Sequence, residues 1–193
     1  MGGVSLGKTI AKALPVGGLL AFVLAAFTPS AALITALACA VIGDILVSRS
    51  DRRVFALGMA AFGLAHAALI AVFVEEGLSL EAMRWVAAAG ILVGAAGMAA
   101  ILVRPAGGLG RAVLAYICVI AVMAVVAMAI DTGAADRDRL ILIAVALFLA
   151  SDALLGLLTF RIAEGSPLHV PFDLIIWPAY YGAMALFALS TGG

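Results

Sequence analysis

The sequence predicts an all-α, polytopic bundle of transmembrane helices that forms a single domain over residues 1–193. Three observations carry that reading. Hydrophobic residues make up 66% of the chain and charged residues 11%, about half the charged share of an ordinary soluble domain. The apolar residues come in runs of about 20, the length at which a helix crosses a bilayer core. Each run is bounded by charges, Pro or Gly, which punctuate helices.

Seven spans follow, at roughly 11–28, 31–48, 54–74, 84–103, 111–130, 139–160 and 171–190. The first, opened by Lys12, does not end in a small-residue cleavage site and is expected to be a permanent helix rather than a signal. The second leads to a basic exit at Arg49, and the third begins after a loop holding Asp51, Arg52 and Arg53. The fourth carries Gly90, Gly94 and Gly97, which lower its hydrophobicity. Gly90 and Gly94 make a small-xxx-small pair, expected to let a neighbouring helix come close, with a ligand contact as the alternative. The fifth follows Arg111, the sixth ends at Arg161, and the seventh follows Pro171, with Asp173 expected to cap its start.

Short connections make successive helices antiparallel, so the basic residues can be assigned to sides. The side of the N-terminus receives Lys8, Lys12, Arg49, Arg52, Arg53, Arg104, Arg111 and Arg161. The opposite side receives only Arg84, Arg137 and Arg139, together with Glu75, Glu76, Glu81, Asp131, Asp136 and Asp138. The N-terminus is expected in the cytoplasm and the C-terminus outside, with the chain in a bacterial plasma membrane. The formal net charge is zero and no basic stripe exists, which excludes a nucleic-acid surface. Cys39 and Cys118 fall in apolar helices and read as buried structural thiols, not as a disulfide or a metal site.

Two aspartates, Asp44 and Asp152, interrupt otherwise hydrocarbon stretches. An ionisable side chain at membrane depth costs roughly 2.5–3.5 kcal/mol on insertion scales and needs a partner, a wet cavity or a function. At 1.5 Å per residue, Asp44 lies about 7 Å from the level of Arg49, and Asp152 about 13 Å from that of Arg161. His66 lies about 20 Å from Arg53, near the midplane. The embedded polar residues thus gather in one half, and a cavity opening toward the inner leaflet accommodates them. Each aspartate either makes a structural pair with Lys12 or a tyrosine hydroxyl, or carries chemistry. His66 is either an acid/base relay or a satisfied interior histidine. Lys12 either meets a lipid phosphate or snorkels to the interface. Ser151 either donates to the site or bonds a carbonyl of its own helix. Tyr180 and Tyr181 lie mid-helix, so at least one should face a polar interior. His169 is expected in a surface loop. No second His or Cys stands at ligand spacing, so neither a metal nor another cofactor is expected.

Taken in order, three blocks resemble the YhhN family of membrane proteins, whose characterised members are lysoplasmalogenases. The first is the Gly43-Asp44 helix with its basic exit. The second is Phe55, Gly58, Phe62 and His66, similar to the family's F-x-x-G-x-x-x-F-x-x-x-H helix. The third is Phe148 to Asp152, followed by Tyr180 and Tyr181, and Lys12 looks like the family's lysine before a proline-containing helix start. Departures are also visible. Members typically have eight spans, and the helix before Lys12 is expected to be missing here. Leu69 stands where an aromatic residue commonly follows the histidine, and Met184 where a Gln or His is common in the last helix.

The resemblance implies hydrolysis of the vinyl-ether bond of a lysophospholipid in a membrane, giving a fatty aldehyde and a glycerophospho-alcohol. Such chemistry needs one carboxyl to protonate the vinyl carbon and another, ionised, to direct water at the oxocarbenium carbon. Glycoside hydrolysis uses two carboxyls in the same way. Asp152 is expected as the acid and Asp44 as the ionised partner, with the reverse assignment open. His66 would relay a proton or hold one aspartate, while Lys12, Ser151, Tyr180 and Tyr181 would contact substrate. Two other classes remain: a non-catalytic lipid-binding protein and a proton-coupled carrier. The carrier would need a polar pathway from both faces.

Overall fold

A computed structural model describes residues 6–49, 51–163 and 165–192, with side chains from residue 12 onward. The side chain of Lys8, counted above for topology, lies outside the described residues. The described residues form seven α-helices: α1 Leu6–Ala26, α2 Ala31–Val47, α3 Arg52–Glu76, α4 Trp85–Leu102, α5 Gly110–Ala127, α6 Ala135–Phe160 and α7 His169–Thr191. Every expected span is a helix. Five, α3 to α7, are long and apolar enough to cross a membrane. The described part of α1, Lys12–Ala26, and α2 are shorter apolar helices.

Capping explains where the ends fall. Ser30 accepts from the Leu33 amide at 3.2 Å and starts α2 directly after Pro29. Asp51 accepts from the amides of Arg53 and Val54 at 2.8 and 3.0 Å, so α3 begins at Arg52. The segment expected as a solvated loop is therefore partly a helix start. Asp173 does not cap α7, which begins at His169 because Pro171 is tolerated in a first turn, where its missing amide costs nothing. Asp173 instead accepts from the Trp177 indole at 3.2 Å on the exposed face.

The core runs through α1, α2, α3, α5, α6 and α7, with Leu33, Leu37, Phe73, Met123, Ile141, Phe148 and Phe187 fully buried. Leu69 and Met184, the departures noted above, belong to this core at 1% exposure each. α2 lies along α3 and α6 along α7. Glycine makes the first pairing possible: a Cβ on Gly58 would sit 2.8 Å from the Val47 backbone nitrogen, and one on Gly43 would sit 2.7 Å from the Phe62 ring. Cys39 is half-buried, but Cys118 is exposed on the outer face of α5, contrary to the expectation of two buried thiols.

The two ends of the bundle differ. At the acidic end the α3–α4 and α5–α6 connections are tied together. The Ser79 amide donates to Ala129 at 2.8 Å and the Asp131 amide to Gly77 at 3.1 Å. Arg84 donates to the carbonyls of Met128 and Ile130. Arg137 pairs with Glu76 at 2.6 Å and donates to the Ser190 carbonyl, fastening α3, α6 and α7. Of two cavities, the smaller lies toward the other, basic end, and the larger runs from there along α4 as far as Ala87.

Candidate functional site

Asp44 sits in the last turn of α2 and is 3% exposed. The Tyr180 hydroxyl of α7 donates to its Oδ2 at 3.0 Å. Tyr180 is held by its ring, stacked on Phe148 at 5.7 Å and edge-on to Phe62 at 5.9 Å. Its neighbour Tyr181 donates to the Lys12 backbone carbonyl at 2.9 Å, tying α7 to α1. Both tyrosines therefore have polar partners. The Lys12 ammonium lies 4.3 Å above the Trp177 ring, a cation–π contact.

Asp152 lies on α6, its side chain 13% exposed. The Tyr116 hydroxyl of α5 donates to its Oδ2 at 3.2 Å. His66 of α3, fully buried, brings Nε2 to 3.3 Å from the same oxygen. The His66 Nδ1 is 2.7 Å from the Phe62 carbonyl oxygen. A carbonyl only accepts, so Nδ1 carries the ring hydrogen, and a neutral ring then offers Nε2 as an acceptor. The alignment at Nε2 falls short of a hydrogen bond, which leaves this atom without a hydrogen-bond partner among the described residues. The short separation is the weightier fact. A buried acceptor facing a carboxylate oxygen at 3.3 Å is tolerable only with a proton on one of the two. His66 and Asp152 thus form a pair built around one proton.

The two aspartates meet at one place. Asp44 and Asp152 both line a cavity of about 20 Å³, together with Lys12, Ser48, Ser151, Trp177 and Tyr180. That volume admits about one water molecule. Ser151 is 2% exposed and contributes to this lining. A second, apolar cavity of about 490 Å³ lies between α3, α4, α5 and α6. Asp152, Phe62, Val47 and Leu155 line both cavities, so the carboxyl of Asp152 stands at their junction. The volume falls in the range of small-molecule pockets, roughly 300–1,000 Å³.

All seven residues expected at a site are thus accounted for. Asp44, Asp152, Lys12, Ser151 and Tyr180 share the small cavity, His66 backs Asp152, and Tyr181 braces Lys12 from behind. His169 stands apart, its Nε2 3.1 Å from the Ala163 carbonyl oxygen. Sequence reasoning missed Tyr116, whose hydroxyl holds Asp152. Its signal was available, since Tyr116 has the only hydroxyl in α5. Gly90 and Gly94 correct an expectation. No atom lies within 4 Å of a Cβ built on either, so no neighbouring helix is packed against them, and both line the larger cavity. Among the described residues no three His, Cys, Asp or Glu side chains are grouped to hold a metal ion.

Fold and site together define a polytopic helical membrane protein with two acidic side chains on one small polar cavity, one of them also bordering a large apolar cavity. The chain belongs to the YhhN family, whose sequence profile matches residues 7–191, nearly its whole length. No curated protein and no solved structure matches it.

Proposed function

We propose that the protein is a lysoplasmalogenase-like ether hydrolase, acting on the vinyl-ether bond of a lysophospholipid by paired-aspartate acid/base catalysis. One observation carries the reading: Asp44 and Asp152 border a single water-sized cavity, and Asp152 also borders the large apolar one. On the topology expected from the basic residues, this site faces the cytoplasmic leaflet.

The alkenyl chain lies in the apolar cavity, with the vinyl-ether carbons beside Asp152. The proton shared by Asp152 and His66 passes to the vinyl carbon remote from the ether oxygen. The double-bond electrons form the new C–H bond, and the carbon next to oxygen becomes an oxocarbenium centre. Asp44, ionised and held by the Tyr180 hydroxyl, stabilises that positive charge and orients a water in the small cavity. The water oxygen attacks the oxocarbenium carbon while its proton passes to Asp44, giving a hemiacetal. The hemiacetal hydroxyl proton moves to the glycerol oxygen as the C–O bond breaks, releasing aldehyde and alcohol. The proton on Asp44 returns to the Asp152–His66 pair through the small cavity, and the cycle is balanced. Tyr116 holds the Asp152 carboxyl in place. Lys12 is positioned for the lipid phosphate, its ammonium oriented by Trp177.

The test is purified protein in nanodiscs, assayed for aldehyde from a lysoplasmalogen and for fatty acid from the ester lysophospholipid. Aldehyde alone is expected. Asp152→Asn and Asp44→Asn should each lose at least about 100-fold, the lower range for general acid–base catalysis, while remaining folded. Full turnover in both variants, or release of fatty acid, overturns the reading.

A further inference from the structure

α4 packs loosely: only Ala88 and Leu102 of its 18 residues are buried. It touches α6 through Leu102, whose Cδ1 lies 2.7 Å from where a Cβ on Gly156 would be. Gly156 is thus a glycine that serves helix contact. Gly90, Gly94 and Gly97 of α4 do not, because a Cβ on any of them would meet nothing within 4 Å. Gly weakens a helix relative to Ala, so three within 18 residues call for a reason other than packing. For Gly90 and Gly94 the cavity supplies one, since both line it, while Gly97 does not.

The rest of the cavity states what it holds. Its walls are hydrocarbon, from residues such as Met59, Ile117, Ile120 and Leu149. The side-chain polar atoms come from Tyr116, Asp152 and Thr159. Behind Asp152 stands the buried His66, its Nε2 3.3 Å from the carboxylate oxygen. A slot with an acid at one place and hydrocarbon elsewhere suits one aliphatic chain. The contact of Leu102 with Gly156 also fixes a register, because α4 and α6 run in the same direction. Asp152 then lies level with Met98. Gly94 lies roughly 6 Å beyond it, toward the acidic end, and Gly90 roughly 12 Å beyond, at 1.5 Å per residue.

We propose that Gly94 and Gly90 are the graded wall of a single-chain lipid pocket and set the longest aliphatic chain it accepts. The inference builds on the reading that Asp152 meets the reacting end of the lipid, but chain binding does not require reaction. Gly94→Phe would close the pocket near the acid and Gly90→Phe near its far end. Gly97→Phe adds the same side chain to the same helix outside the cavity lining and serves as the control.

The experiment uses saturated alkyl-ether lysophospholipids, which lack the vinyl group. An equimolar mixture of increasing chain lengths is offered to the full chain in detergent, and native mass spectrometry reads which lengths are retained. Gly94→Phe should deplete all but the short chains by about tenfold or more, the size of an overpacking penalty. Gly90→Phe should deplete only the longest, and Gly97→Phe should match the unaltered protein. Should Gly94→Phe not fold, Gly94→Leu against Gly97→Leu gives the same comparison. Identical chain profiles for the Gly94 and Gly97 variants, or profiles that no variant alters, overturn the proposal. Because the probe cannot be hydrolysed, that failure is separate from a failure to release aldehyde, which would sink the hydrolase reading alone.

Discussion

Tyr180→Phe tests the charge state assigned to Asp44. The substitution removes one oxygen and leaves the ring on Phe148 and Phe62, so packing changes little. What disappears is a hydrogen bond of 3.0 Å to a buried carboxyl. A bond to an ionised group contributes about 1.5–3 kcal/mol, whereas neutral interhelical bonds in a membrane average about 0.6. Asp44→Asn keeps a neutral acceptor at the same place. The coupling between Tyr180→Phe and Asp44→Asn therefore isolates the charged part of the bond, expected at about 1–2 kcal/mol. The assay is reversible unfolding of the wild type, both single variants and the double variant in mixed micelles. Stability is read without reference to turnover. A coupling below about 0.5 kcal/mol, the level at which independent sites add, would show Asp44 to be neutral at rest. The role of an ionised carboxylate beside the oxocarbenium would then fall.

Other outcomes follow from the same geometry. His66→Phe keeps the ring contacts with Phe148 and Tyr116 and removes both ring nitrogens, Nδ1 on the Phe62 carbonyl and Nε2 beside Asp152. Aldehyde release should fall by at least about 100-fold, with stability lowered by about 1–3 kcal/mol in unfolding as Asp152 loses its buried partner. Gly58→Ala places a methyl 2.8 Å from the Val47 backbone nitrogen, which cannot yield as a side chain would. It should cost about 1–3 kcal/mol in unfolding experiments. Arg137→Ala leaves Glu76 and the Ser190 carbonyl unpaired, and should lower stability by about 1–3 kcal/mol. Turnover per folded molecule should be unchanged in that variant, since Arg137 lies about 22 Å along α6 from Asp152.

The spans were legible because bilayer thickness dictates a length, and apolar runs of that length leave little choice. Their ends were less so. Asp51, by capping, and Pro171, by its tolerance in a first turn, move two helix starts in ways that hydropathy does not register. Asp44, Asp152 and His66 stood out because ionisable groups are costly in hydrocarbon. The sequence gives their depth along a helix but not the direction each faces around it. The meeting of Asp44 and Asp152 at one cavity therefore needed the structure. Tyr116 was passed over because a lone tyrosine in an apolar helix also reads as an amphipathic aromatic. The glycines of α4 misled for a related reason. A small-xxx-small pair records that side chains are absent, and says nothing about whether a helix or a ligand fills the space.

The asymmetry of the bundle bears on the competing reading of a proton-coupled carrier. Alternating access requires the site to open in turn toward each face, by one group of helices rocking against another. At the acidic end, Arg137 joins α3, α6 and α7 in one cluster, and the Leu78–Ile130 bridge joins two connections. Each opening toward that face would break these bonds together, including an ion pair of 2.6 Å. Nearer the basic end, the ties among the described residues include single hydrogen bonds from Arg52 to the Ala106 carbonyl and from Tyr181 to that of Lys12. Access to a lipid from one leaflet only would leave the bonds at the acidic end unbroken. The lacing at the acidic end weighs against alternating access on these grounds. Proton flux in sealed vesicles that depends on Asp152 and survives a disulfide locking α3 to α6 at the acidic end would be incompatible with both that inference and rocking.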